Sequence, residues 1–177
     1  DASPGQTVFF QVDRFDTAIR SMTWQLRDEA GTQLFDRRLF QSHPGRFELL
    51  RGGRYTLTVN TDGYHDGAGS YAFQVLSVAV PQEFGIKIGD AVGKGVPAIG
   101  AGSIESPGSV DVYYFDATPG QVVFVQTDGF DAVIRTMTWE LRDESGTLLF
   151  DRRWFQGDPG RWVLERGGRY TITVNPV

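Results

Sequence analysis

Met22-Thr23-Trp24-Gln25-Leu26-Arg27-Asp28-Glu29 is the stretch that decides the fold. Apolar Met22, Trp24 and Leu26 alternate with polar Thr23, Gln25 and Arg27, the period of two that marks a half-buried strand. The run ends in Asp28-Glu29-Ala30-Gly31, turn residues that predict a hairpin loop closing on glycine. The same stretch returns as Met137-Thr138-Trp139-Glu140-Leu141-Arg142-Asp143-Glu144, followed by Ser145-Gly146. Residues 1–60 align with 116–175 at a constant offset of 115, and 42 of the 60 pairs are identical. So long a period is one whole domain, whereas solenoid repeats run to roughly 20–50 residues.

The remaining runs have the same character. Thr7 to Val12 and Val122 to Thr127 are apolar, β-branched and aromatic. Tyr55, Leu57 and Val59 alternate with Thr56 and Thr58, and Ser70 to Val75 continues the pattern. Pro44-Gly45, Gly52-Gly53 and their counterparts Pro159-Gly160 and Gly167-Gly168 mark further corners. Many short strands with close-set turns predict an all-β chain of tandem antiparallel β-sandwich domains.

Pro81 to Ser109 is rich in Gly, Pro and Ala, with one strand candidate at Phe84 to Ile88. A junction near Val80-Pro81 divides the chain into 1–80 and 81–177. The repeat frame is then out of step with the domain frame. The first unit has no counterpart of Asp111 to Phe115, and the second has none of Tyr71 to Val75. A sandwich short of a strand exposes apolar surface and unpaired backbone. The missing strands come from further copies along a longer chain or from neighbouring subunits by strand addition, unless the chain is simply trimmed inside a domain. The expected partners are therefore neighbouring copies of the same repeat or subunit.

Composition narrows the function classes. Hydrophobic residues at 40% describe a folded chain, and no apolar run approaches a membrane span. Without cysteine, disulfides and thiolate metal sites are ruled out. The net charge of −5 and the lack of a basic patch argue against nucleic acid. Fifteen of the seventeen cations are arginine, all within the repeated block, which predicts outward pairing with Asp and Glu or a protein contact surface.

Nothing in the residues predicts an enzyme. Only His43 and His65 are present, no serine sits in an elbow motif, and Gly93-Lys94-Gly95 lacks phosphate-loop spacing. No cofactor is certain. Calcium is possible at Asp62 and Asp66, interleaved with glycine, and at Asp13 with Asp16 and Asp128 with Asp131, although such residues also build plain turns. Trp154 and Trp162 replace Leu39 and Phe47, either as repacked core or as binding aromatics. In Arg46-Phe47-Glu48-Leu49-Leu50, residues 47 and 49 should face inward. The outward pair Glu48/Leu50 becomes Val163/Glu165, leaving one apolar side chain on that face in each copy.

Several strings resemble the bacterial pre-peptidase C-terminal domain family. They are Asp111-Val112-Tyr113-Tyr114-Phe115, Pro119-Gly120-Gln121, Trp139-Glu140-Leu141-Arg142-Asp143 with Gly146 to Phe150, Gly168 to Val174, and Gly69 to Val75 in the first copy. The resemblance implies a jelly-roll-like β-sandwich of secreted or cell-surface bacterial proteins, some members of which bind calcium or matrix polymers. With the repeat, it leads to an expected non-catalytic structural module of a stalk, adhesin or filament. The alternative is an accessory calcium- or polymer-binding module of a secreted hydrolase.

Overall fold

The computed structural model describes residues 1–16, 18–19, 22–40, 42–61, 68–129, 137–154 and 157–176, apart from the side chains of 37–39, 151–154 and 176. The chain is all-β. It divides into two compact units, Asp1–Ala79 and Val80–Val177.

The first unit holds β1 (Gln6–Phe15), β2 (Met22–Asp28), β3 (Gln33–Leu39), β4 (Gly45–Leu49), β5 (Tyr55–Thr61) and β6 (Tyr71–Ser77). They form two three-stranded antiparallel sheets, β4-β1-β6 and β3-β2-β5. Alternation places one face of each sheet in the core. Val8 and Phe10 of β1 and Leu49 of β4 meet Trp24 and Leu26 of β2 and Phe35 of β3. Trp24 is fully enclosed, with Phe40 at 4.7 Å and Phe73 at 5.7 Å between ring centroids.

The second unit holds β7 (Gln82–Gly85), β8 (Asp111–Ala117), β9 (Gln121–Val125), β10 (Met137–Asp143), β11 (Leu148–Trp154), β12 (Gly160–Leu164) and β13 (Gly168–Pro176). One sheet runs β11-β10-β13-β8-β7, and the other is the pair β12-β9. The strand expected at Phe84 to Ile88 begins two residues earlier and ends at Gly85. It pairs with β8 in parallel, Gln82 opposite Asp111 and Phe84 opposite Tyr113. A parallel pair needs a long crossover, and the Gly- and Pro-rich segment between β7 and β8 supplies it.

The repeat is reproduced rung for rung. Thr7 opposite Glu48 becomes Val122 opposite Val163, and Trp24 opposite Val59 becomes Trp139 opposite Val174. The hairpins after β2 and β10 close on Gly31 and Gly146, both at φ 83°, with Asp28 and Asp143 each accepting the glycine amide on its backbone carbonyl. Tyr55 and Tyr170 donate their hydroxyls to the carbonyls of Arg51 and Arg166, at 2.8 and 2.9 Å. This is a tyrosine corner that fastens the entry to β5 and β13.

Candidate functional site

The two units differ most at their sheet edges. In the first, β6 lies antiparallel along β1, with Phe9 opposite Leu76, Gln11 opposite Gln74 and Val12 opposite Phe73. In the second, no strand among the described residues lies along the same edge of β9. Phe9 is 6% exposed and its counterpart Phe124 is 61% exposed. The residue is the same; its neighbours are not. Phe9 has Leu76 across the ladder and the His43 ring 6.1 Å away. Phe124 has no such strand, and Asp158 stands where His43 was.

A second edge shows the reverse asymmetry. Ala2 and Gly53 exchange hydrogen bonds of 2.9 and 3.0 Å, in the register of Ala117 opposite Gly168. In the second unit that ladder continues along β8 to Asp111 opposite Val174. In the first, the rest of this edge of β5 carries no strand among the described residues. Tyr170 is accordingly buried, and Tyr55 only half-buried.

The acidic candidates can be placed in part. Asp13 sits at a bulge between Val12 and Arg14, where its carboxylate accepts from Gln11 Nε2 at 3.3 Å and Gln74 Nε2 at 3.0 Å. Asp128 accepts from Gln126 Nε2 at 2.9 Å. Asp16 caps a turn, accepting from the Ala18 amide at 3.1 Å. These carboxylates thus face amide donors, and among the described residues no three Asp, Glu or His side chains gather as a metal-holding group. Asp62, Asp66, Asp131 and His65 lie outside the described residues. His43 has a structural place: its Nδ1 accepts from the Val12 amide at 2.9 Å, as Asp158 accepts from the Thr127 amide at 2.8 Å.

A buried polar knot was not visible as a site in the sequence. Asp111 opens β8 and is almost fully enclosed. Tyr113, two residues on and on the same face, donates its hydroxyl to Asp111 Oδ2 at 2.8 Å and accepts from the Gly102 amide at 2.8 Å. The pair ties the crossover to the sheet. Among the described residues Asp111 Oδ1 has no hydrogen-bond partner, although the Ser103 and Gly102 amides lie close enough to favour the charged form. Burial lifts the Asp111 carboxyl above its ordinary 3.8, against the pull of the Tyr113 hydroxyl, and Glu105 adds to the rise. Burial likewise raises Tyr113. The signal that could have found the knot is an acid and a tyrosine at i and i+2 in an otherwise apolar strand.

A raised carboxyl takes up a proton more readily in the folded state. Its contribution to stability is full below pH 3.8 and is lost as pH rises through the folded value. Asp111→Asn should therefore flatten that fall and stabilise the second unit at pH 7. Chemical denaturation from pH 3 to 7 checks it; a variant with the parent's pH profile refutes it. Asp143 acts in the opposite sense. Its carboxyl is lowered by the Ser145 side-chain hydrogen bond, the Thr147 amide and hydroxyl and the Arg166 charge, so its contribution is lost as pH falls.

The arginines divide between local pairs and ring contacts. Arg51 lies 3.7 Å from Asp28, Arg166 lies 3.6 Å from Asp143, and Arg169 stands 4.7 Å above the Tyr114 ring. Trp162 packs against the second core 5.6 Å from Phe150, donating Nε1 to the Pro159 carbonyl; the Trp154 side chain lies outside the described residues. Phe47 and Leu49 face inward, while Leu50 and Val163 are exposed. Where β1 and β4 pair Thr7 with Glu48 on the outer face, β9 and β12 pair Val122 with Val163, beside Phe124. The outer face of the two-stranded sheet thus carries Val122, Val163 and Phe124, with Arg161 exposed opposite Phe124. No protein-family model and no curated protein matches this chain.

Proposed function

We propose that this chain is a non-catalytic structural repeat of a bacterial extracellular or cell-surface protein, a building block of a stalk, adhesin or filament whose sandwiches are completed by strands of neighbouring repeats. The observation that carries the reading is where the two copies agree. Identical residues fill cores and corners: Trp24 and Trp139, Leu26 and Leu141, the two tyrosine corners, and the paired glycines. The Gly52 and Gly167 positions lie against Pro4 and Pro119, where an added Cβ would come within 3.0 Å of the proline ring. Outward pairs such as Thr7/Glu48 and Val122/Val163 are free to differ. Such a pattern keeps a scaffold and varies its faces. The resemblance to the pre-peptidase C-terminal family supports the same reading, since that family repeats within large secreted proteins.

Electron microscopy of native material with a gold-labelled antibody tests the proposal. Label is expected on surface fibres or tethers. Label confined to the cytoplasm, or a soluble enzyme activity that copurifies and is lost with core-neutral surface substitutions, would overturn it.

A further inference from the structure

We propose that the open edge of β9 is a docking groove for one strand bearing the β6 residue set, succeeding β13 along the chain as β6 succeeds β5. The inference rests on the repeat-module reading and adds to it the edge, the direction and the register.

The molecule contains its own filled example. β9 and β12 repeat β1 and β4 in the same register, Trp162 opposite Val123 as Phe47 is opposite Val8. In the first unit the Val78 amide donates to the Thr7 carbonyl at 2.9 Å. Backbone groups on a strand alternate sides, so Thr7, Phe9 and Gln11 direct their amides and carbonyls toward β6. Val122, Phe124 and Gln126 direct theirs to the open edge. Applying the offset of 115 to the observed ladder puts Leu76 of the incoming set opposite Phe124, Gln74 opposite Gln126 and Phe73 opposite Thr127.

Two side-chain features suit that occupant. Asp128 holds one glutamine amide, from Gln126, where Asp13 holds two, the second being Gln74 of β6. An incoming glutamine at that position completes the same clamp. Phe124, 61% exposed, gains the leucine that covers Phe9. Beside that clamp, Asp158 accepts from the Thr127 amide and hydroxyl and holds the strand end as His43 holds Val12.

Strand numbers decide the source. Among the described residues each copy has one β6, already paired with β1, and one further edge that repeats the β1 register, that of β9. A second copy fills β9 only by vacating its own β1, so exchange between copies adds no ladder. A strand supplied after β13 adds one.

Hydrogen exchange tests this on two proteins: the 177-residue chain, and the same chain with a copy of residues 61–80 in place of Pro176-Val177. The Phe124 and Gln126 amides are expected to exchange at least about tenfold more slowly in the lengthened chain. A free peptide of residues 68–80 should give the same protection at saturation. Phe124→Asp should abolish both effects, and Leu76→Asp in the added segment should weaken them. Unchanged exchange in the lengthened chain overturns the proposal. So does protection of these amides in the unmodified chain that grows with its concentration, which would make a second copy the occupant. Surface fibres combined with unchanged exchange sink this inference alone; cytoplasmic label combined with protection sinks only the functional reading.

Discussion

Trp24→Ala is expected to unfold the first unit while leaving the second folded. The indole is wholly enclosed and meets Phe40, Phe73, Phe35 and Phe10 at centroid distances of 4.7 to 6.2 Å. Those rings come from β1, β3, β6 and the turn after β3, so the cavity lies where both sheets meet and cannot collapse onto one element. Removing such a side chain costs about 4 kcal/mol, a large part of a small domain's stability. Denaturation followed by amide exchange should show the residues of 1–79 losing protection together, with the remaining tryptophans, Trp139, Trp154 and Trp162, still reporting a folded second unit by fluorescence. Trp24→Phe should cost much less. Among the described residues Trp24 Nε1 has no hydrogen-bond partner, and phenylalanine removes that buried donor, which itself costs about 1–3 kcal/mol. Unchanged protection in Trp24→Ala would mean the first core does not depend on the strand that decides the fold.

Gly102→Val should strongly destabilise the second unit. Gly102 sits at φ 65°, where a β-branched residue is strained, and a Cβ there would run into the Gly93 carbonyl. Its amide also donates to the Tyr113 hydroxyl, so a shift of this backbone breaks the knot that pins the crossover onto β8. The expected loss is about 3 kcal/mol or more, combining backbone strain with a buried pair left short of a donor. Gly95→Val is the matched control. Gly95 has φ 78° but nothing within 4 Å of an added Cβ, so only the conformational cost of about 2 kcal/mol should appear. Equal losses in the two variants, measured as unfolding midpoints of the second unit, would show that the close approach at Gly102 does not matter.

The open edges bear on both results. Among the described residues β9 and β5 each present an edge without a neighbouring strand, the kind of edge that can take one. On the proposal for β9, supplying a strand to that edge should raise only the unfolding transition of the second unit.

Alternation in Met22 to Arg27 and Tyr55 to Asn60, with the glycine-closed hairpins, determined by itself that the chain is all-β and which residues face inward. Those signals are local: a side chain's face follows from its place in the pleat, and a turn from the residues that fit its dihedrals. The duplication likewise followed from residues alone. The tertiary structure decided the rest, because burial depends on which distant strand arrives. Nothing local marks the parallel pairing of β7 with β8, since its partner lies beyond a long crossover. Nor could the Asp111–Tyr113 knot be read without the loop that returns to Gly102. Phe9 and Phe124 make the point most directly. They are the same residue in the same position of the same strand, one enclosed and one open to solvent, and the neighbours that differ are a strand 67 residues further on, at Leu76, and the His43 ring.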